Sequence, residues 1–238
     1  MRGKRIVVTG GTTGIGRATI ARLAASGARI VTVGRDEAAL EEALAGFAGL
    51  PGKVSGVVAD LGSRAGVERL FAEADARLGG LDAIVSNAAL GAEPIDEMAE
   101  EDWRYVVEVN LVGAMSAVRA ALTRFAGGGQ VVMVGSISAH VHAPGESVYS
   151  ATKAGLQAFS ETLRKEVAGR NIRVGLIEPG TVGTDMQAAD DDEQREKVAR
   201  HEMLCAEDVA EAIAFMLDRP ARVDVVALRI EPRLQELP

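Results

Sequence analysis

Cys205 is the only cysteine in 238 residues, so no internal disulfide can form and a reducing compartment is expected. Basic charge is not in excess either. The 26 Lys and Arg are outnumbered by 34 Asp and Glu, giving a net charge of −8, which argues against the electrostatic footprint of a nucleic-acid or anionic-membrane binder. The first strand is expected within a few residues of Met1, which leaves no room for a charged-then-apolar leader. No uninterrupted apolar run reaches the roughly 18 residues of a membrane span. Internal repeats, low-complexity tracts and Pro-rich linkers are missing too. The expectation is a single cytoplasmic domain, and 47% hydrophobic residues with 27 glycines suit an α/β unit rich in turns.

The chain is organised around the stretch Ile6-Val7-Val8-Thr9-Gly10-Gly11-Thr12-Thr13-Gly14-Ile15-Gly16. A short apolar run reads as a buried strand. Spaced glycines then allow a tight turn and close approach of backbone to a ligand, and a helix opening near Arg17 aims unpaired N–H groups at an anion. A pyrophosphate fits that description. The spacing Gly10-x3-Gly14-x-Gly16 differs from the common G-x-G-x-x-G fingerprint, and no Lys-Ser/Thr follows as a triphosphate-binding loop requires. A ligand-free turn is the alternative.

Beyond the turn, strand and helix patterns alternate. Helices are expected at Arg17–Ser26, from an Asp36 N-cap to Phe47, from a Ser63 N-cap to Leu78, at Glu100–Phe125, at Ser147–Ala168 and at Glu207–Leu217. Strands are expected at Ala28–Val33, Lys53–Ala59, Leu81–Ser86, Gln130–Gly135, Ile172–Ile177 and Val225–Ile230. Seven β-rich runs separated by helices imply a doubly wound parallel sheet covered on both faces, with ligands at the carboxyl ends of the strands. The stretch Thr184–Met203 falls outside the rhythm, where a substrate lid would sit; a solvated surface helix reads equally well.

Three features carry chemistry. Gly34-Arg35 follows the second strand, where an acidic residue would hold the ribose hydroxyls of NAD. A guanidinium there can instead pair with a 2′-phosphate, favouring NADP over NAD, unless Arg35 merely pairs with Asp36 or Glu37. Tyr149 and Lys153 lie four apart on one helix face, so a cation near the phenol could lower its pKa and ready it for proton exchange. Ser136, just after the fifth strand, could bring its hydroxyl to the same point.

In order and spacing, Thr9-Gly10-x3-Gly14-Ile15-Gly16, Asn87-Ala88-Ala89, Asn110, Ser136, Tyr149-x3-Lys153 and Pro179-Gly180 resemble the short-chain dehydrogenase/reductase family over nearly the whole chain. The resemblance implies that Tyr149 is the general acid/base, that Lys153 holds the nicotinamide ribose and tunes Tyr149, that Ser136 orients the carbonyl and that Asn110 anchors a water relay. It also assigns Gly10, Thr12, Thr13, Gly14, Ile15, Gly16, Arg35, Asp60, Leu61, Asn87, Ala88, Pro179, Gly180, Val182 and Thr184 to the cofactor, with Thr184 meeting the carboxamide. Family members pair two long helices across a two-fold axis. The apolar residues Val106, Val109, Leu111, Ala114, Met115, Val118 and Leu122 of this chain cover more than one stripe, so a homodimer or homotetramer is expected.

Two departures stand out. Ser86-Asn87-Ala88-Ala89 replaces the family's Asn-Asn-Ala-Gly, which should affect packing alone. Ala139-His140 replaces Ala-Gly and brings an imidazole toward the substrate mouth, where His140-x-His142 has no evident third ligand for a metal. The ending from Arg219-Pro220 to Pro232 is similar to a branch containing NADP-dependent 3-hydroxy acid (serine-type) dehydrogenases and clavulanate-type aldehyde reductases. An oxidoreductase acting on a small carbonyl or alcohol is the leading reading. The alternative is a dinucleotide-binding sensor or scaffold, and a methyltransferase-like domain would leave Ser136, Tyr149 and Lys153 unexplained.

Overall fold

The computed structural model describes residues 1–187 and 190–235. In chain order its first half holds β1 (Arg5–Thr9), α1 (Gly14–Ala25), β2 (Arg29–Gly34), α2 (Glu37–Gly46), β3 (Lys53–Val58), α3 (Arg64–Leu78) and β4 (Ala83–Ser86). Then follow α4 (Glu100–Val107), a π-helical turn (Glu108–Gly113), α5 (Ala114–Leu122), β5 (Gly129–Val134), α6 (Ser138–Val141) and α7 (Ser147–Val167). The chain closes with β6 (Ile172–Pro179), α8 (Asp191–Ala199), α9 (Ala206–Leu217) and β7 (Ala227–Ile230).

The strands form one seven-stranded sheet in the order β3-β2-β1-β4-β5-β6-β7, and every pairing is parallel. The winding direction reverses between β1 and β4. That switch opens a crevice above the carboxyl ends of the two strands, where open α/β sheets take ligands. Successive strand residues feed opposite cores, as the two-residue period demands. Val7, Val31, Ile84, Val131 and Met133 pack with Phe71, Leu70, Ala117 and Leu156 on one face. Ile6, Val8, Ile30, Val85 and Val132 pack with Ile20, Leu23, Val209 and Ile213 on the other. Each such side chain contributes about 1.5–3 kcal/mol by leaving water.

The expected caps are present: Asp36 accepts from the Ala39 amide at 2.7 Å and Ser63 from the Gly66 amide at 3.0 Å. Most boundaries shift by one or two residues, as helix and strand ends commonly do. Larger differences have physical causes. The first helix begins at Gly14 and not near Arg17, because Thr13 in an extended conformation already serves as N-cap, so two of the turn glycines belong to the helix. The expected Glu100–Phe125 helix is interrupted by the π turn and stops at Leu122, and α6 was not expected at all. The sixth strand runs on through Glu178 and Pro179, because β7 extends the pairing with Glu178↔Arg229 and Pro179↔Ile230.

By length and composition, Glu100–Leu122 could cross a bilayer. Here Val106, Ala114, Ala117, Val118 and Ala121 are buried against the sheet and its helices, and Leu111 rests on Gly155 of α7, where an added Cβ would come within 3.1 Å of it. Part of the expected lid, Ala188 and Ala189, lies outside the described residues. Of the rest, Thr184–Gln187 borders the crevice, and α8 has no buried residue.

Candidate active site

The crevice is a cleft of about 480 Å³. Its floor at one end is the glycine turn. Gly10 and Gly14 adopt φ of +68° and +50°, a left-handed conformation that other residues strain to reach. A side chain at Gly16 would drive into the Gly10 carbonyl, so this glycine lets the helix start close behind the turn. Thr13 makes no side-chain cap bond, which leaves the first amides of α1 to a ligand. Asn87 pins the turn from β4: its Nδ2 donates to the Thr9 and Gly10 carbonyls, both at 3.0 Å, while the Asn87 and Ala88 amides donate to Thr9 Oγ1 at 2.9 and 3.0 Å. The cradle fits a dinucleotide pyrophosphate.

At the outer end of this cradle, Thr12, Arg35, Ala59, Asp60 and Leu61 form the walls. Arg35 pairs with neither Asp36 nor Glu37. Its Nη1 donates to the Tyr105 hydroxyl at 2.9 Å, and the guanidinium makes no ion pair among the described residues. The charge that a 2′-phosphate would need is therefore available, at the position where NAD-binding chains of this fold place a carboxylate.

The opposite end is made of side chains. Ser136 leaves β5 with its Oγ accepting from the Ser138 amide at 3.1 Å and donating to Ser138 Oγ at 3.1 Å, so α6 acts as a brace for the hydroxyl. Tyr149 and Lys153 project from successive turns of α7 and both line the cleft. Lys153 is 2% exposed. Its Nζ donates to the Val134 carbonyl at 3.0 Å and stands 5.4 Å from the centroid of the Tyr149 ring. Burial lowers the ammonium pKa to about 8 and, acting on the phenol, raises Tyr149 to about 12; the neighbouring Ser136 hydroxyl opposes that rise and the nearby Glu146 adds to it. The expected lowering of the Tyr149 pKa is thus reversed in this structure. Removing the phenolate from water outweighs the stabilisation available to it, and the ammonium is turned toward a carbonyl.

Of the residues expected at the site, all but Gly16 and Asn110 line the cleft. Gly16 works from beneath the turn. Asn110 is 1% exposed in the π turn, and its side chain is committed to the loop after β4, accepting from the Leu90 amide at 2.7 Å and donating to the Leu90 carbonyl at 2.8 Å. The two histidines diverge. His140 Nε2 lies 2.8 Å from Oε1 of the buried Glu178, and His142 Nδ1 lies 3.3 Å from the Ser138 carbonyl. Tyr105, Glu178 and the α6 brace were not read from the sequence; no local pattern distinguishes a tyrosine behind a wall from any other helix tyrosine.

A sequence profile of the short chain dehydrogenase family matches residues 4–195. The chain belongs to the short-chain dehydrogenases. As a member of that family it is an NAD(P)-dependent oxidoreductase. It is 33% identical over 226 residues to a 3-oxoacyl-(acyl-carrier-protein) reductase of Haemophilus influenzae, with 91% of each chain covered. It is 31% identical over 239 residues to an NADP-dependent 3-hydroxy acid dehydrogenase of Shigella flexneri, covering 97% of this dehydrogenase and 95% of that one. Its fold superposes on a Burkholderia cenocepacia short chain dehydrogenase solved in complex with NADP, with a TM-score of 0.87, 30% identity and 97% of both chains covered.

Proposed function

We propose that this short-chain dehydrogenase is an NADP-preferring enzyme acting on a small carbonyl or hydroxy compound, with 3-hydroxy acids and aldehydes as the first candidates. The observation that carries the reading is the gathering of Ser136, Tyr149 and Lys153 in a cleft whose far end offers Arg35, free of ion pairs among the described residues. The likeness to the Shigella flexneri enzyme, which is named for both NADP and a 3-hydroxy acid, supports the cofactor and the substrate class together.

NADPH supplies the hydride when bound. Thr12, Thr13, Gly14 and Ile15 would hold its pyrophosphate, with Gly10 and Gly16 shaping the turn. Asp60, Leu61, Asn87 and Ala88 would border the adenosine half, and Pro179, Gly180, Val182 and Thr184 the nicotinamide half. Ser136 donates a hydrogen bond to the substrate carbonyl oxygen and Tyr149 gives that oxygen its proton; in the reverse direction Tyr149 takes the proton back. A tyrosine raised toward 12 is held in its acid form, which suits carbonyl reduction. Lys153 bonds the nicotinamide ribose from its buried seat. Asn110, with its side chain spent on Leu90, serves the proton relay by fixing the π turn and loop around it.

Self-association is part of the proposal. Val112 and Met115 remain 45% and 39% exposed on the π turn and α5, in a helix that lies beside α7, and pairing two copies over this face would cover them as a homodimer or as half of a homotetramer. Within Thr184–Met203, the stretch Thr184–Gln187 at the rim of the cleft supports the reading of a substrate lid, and the single half-buried Cys205 and the bacterial relatives support a cytoplasmic setting.

A panel of small 3-hydroxy acids with NADP, and of 3-oxo acids and aldehydes with NADPH, tests the substrate class by absorbance of the reduced cofactor. Turnover of at least one panel member, with NADP preferred over NAD, is expected. Cofactor binding with no turnover of any member would favour the sensor or scaffold reading.

A further inference from the structure

Behind the adenosine end of the cleft runs a chain of polar contacts that begins at backbone and ends at the Arg35 guanidinium. The Gly62 amide donates to Asp60 Oδ1 at 2.9 Å, the Tyr105 hydroxyl donates to the same oxygen at 2.9 Å, and Arg35 Nη1 donates to the Tyr105 hydroxyl at 2.9 Å. The guanidinium carbon also lies 5.6 Å from the Tyr105 ring centroid, within cation–π range. Arg35 and Asp60 line the cleft, whereas Tyr105 stands behind them on α4. Its ring lies against Gly62, where a side chain would come within 2.9 Å of Tyr105 Cε2 and 3.2 Å of Val109 Cγ2. The phenol thus makes one donor bond to a carboxylate and one acceptor bond from a cation. Burial raises its pKa, so it keeps the proton that the bond to Asp60 requires.

An exposed arginine at a phosphate site ordinarily loses rotamer freedom on capture, which weakens binding. Here part of that ordering is already done. Nη1 is held from behind, and the remaining N–H groups are left to face an incoming oxyanion, whose bonds to a guanidinium are strong and bidentate.

We propose that Tyr105 is a positioning residue for cofactor choice, holding Arg35 in the attitude that selects a 2′-phosphorylated dinucleotide over an unphosphorylated one. This deepens the NADP reading of Arg35 and rests on it. Tyr105→Phe is the sharp variant, since it keeps the ring and its packing and removes both hydrogen bonds of the hydroxyl.

Calorimetric titration of the full chain with adenosine 2′,5′-bisphosphate and with 5′-AMP reads the choice without any turnover. Wild type should favour the bisphosphate. Tyr105→Phe should weaken the bisphosphate by about two- to tenfold and leave 5′-AMP unchanged, and in the Arg35→Ala background the same change should do nothing further. Thermal melting of each variant checks the fold. Should Arg35→Ala reduce the preference while Tyr105→Phe leaves it intact, or should Tyr105→Phe weaken both ligands equally, the role of Tyr105 is overturned and that of Arg35 stands. If Arg35→Ala itself leaves the preference at the wild-type level, the NADP reading falls, and the proposal for Tyr105 falls with it.

Discussion

At the phosphate end of the cleft the walls are backbone, shaped by Gly10, Gly14 and Gly16 and pinned by Asn87, while at the other end three side chains from two elements meet around a volume that a substrate must share. The first end needs residues with no side chain, since a substitution meets a clash at Gly10 and Gly16 and a left-handed φ at Gly10 and Gly14, so binding rests on backbone amides. The second end needs particular functional groups whose protonation is set by burial, Lys153 downward to about 8 and Tyr149 upward to about 12. On the proposed function, one end binds and the other exchanges protons. Changes at the two ends should therefore separate affinity from rate.

The largest effect is expected from Tyr149→Phe, which removes the proton donor and leaves the pyrophosphate cradle untouched. Turnover should fall by about 10²–10⁴, with NADPH affinity held near the wild-type value in a fluorescence titration. A parallel loss of both would break the contrast between the ends.

Lys153→Met should lower turnover by less than Tyr149→Phe does, and it removes a pH-dependent burial cost. The folded-state pKa of Lys153 lies below its ordinary 10.5, at about 8, so between those values the unfolded chain binds the extra proton and stability rises with pH. The cost of burying the ammonium is fully present below pH 8, amounts to about 3 kcal/mol as an upper figure, and vanishes as pH approaches 10.5. Melting curves should show the variant faring best relative to wild type at pH 7 and losing ground as pH approaches 10.5, where the Lys153 bond to the Val134 carbonyl still favours wild type. An advantage independent of pH would place its origin elsewhere.

Arg35→Ala should weaken NADP by about 1–3 kcal/mol and NAD hardly at all, with maximal rate preserved at saturating cofactor. Equal losses for the two cofactors would remove the specificity role. The smallest effect is expected at His140, which joins α6 to the end of β6 through Glu178 at 2.8 Å. The pair is partly exposed on the histidine side, so His140→Ala should cost about 1 kcal/mol of stability. It should raise KM for substrate more than for cofactor, because it loosens the brace beneath Ser136.

The contrast between the ends also governs what could be read from the sequence. Gly10, Gly14 and Gly16 were legible because a close backbone approach demands glycine, and a strand before and a helix after supply the context. Tyr149 and Lys153 were legible as a pair because helical spacing places them together, but the direction of the Tyr149 shift was not. That direction depends on how deeply the phenol is enclosed by chain segments far away in sequence. The π turn at Glu108–Gly113 escaped for a related reason: its residues satisfy a helical period, and the two bonds of Asn110 to Leu90 that lie within it join segments 20 residues apart. Glu178 and His140, 38 residues apart, meet only through the sheet.

The most direct test follows a single turnover by rapid mixing, with excess enzyme loaded with NADPH and then given a carbonyl compound that the wild type reduces. Wild type should consume the reduced cofactor in a fast phase, and Tyr149→Phe should bind it equally well yet consume it at least about a hundredfold more slowly. A fast phase of unchanged rate in Tyr149→Phe would contradict the assignment of the proton donor, and with it the division of the cleft into a binding end and a reacting end.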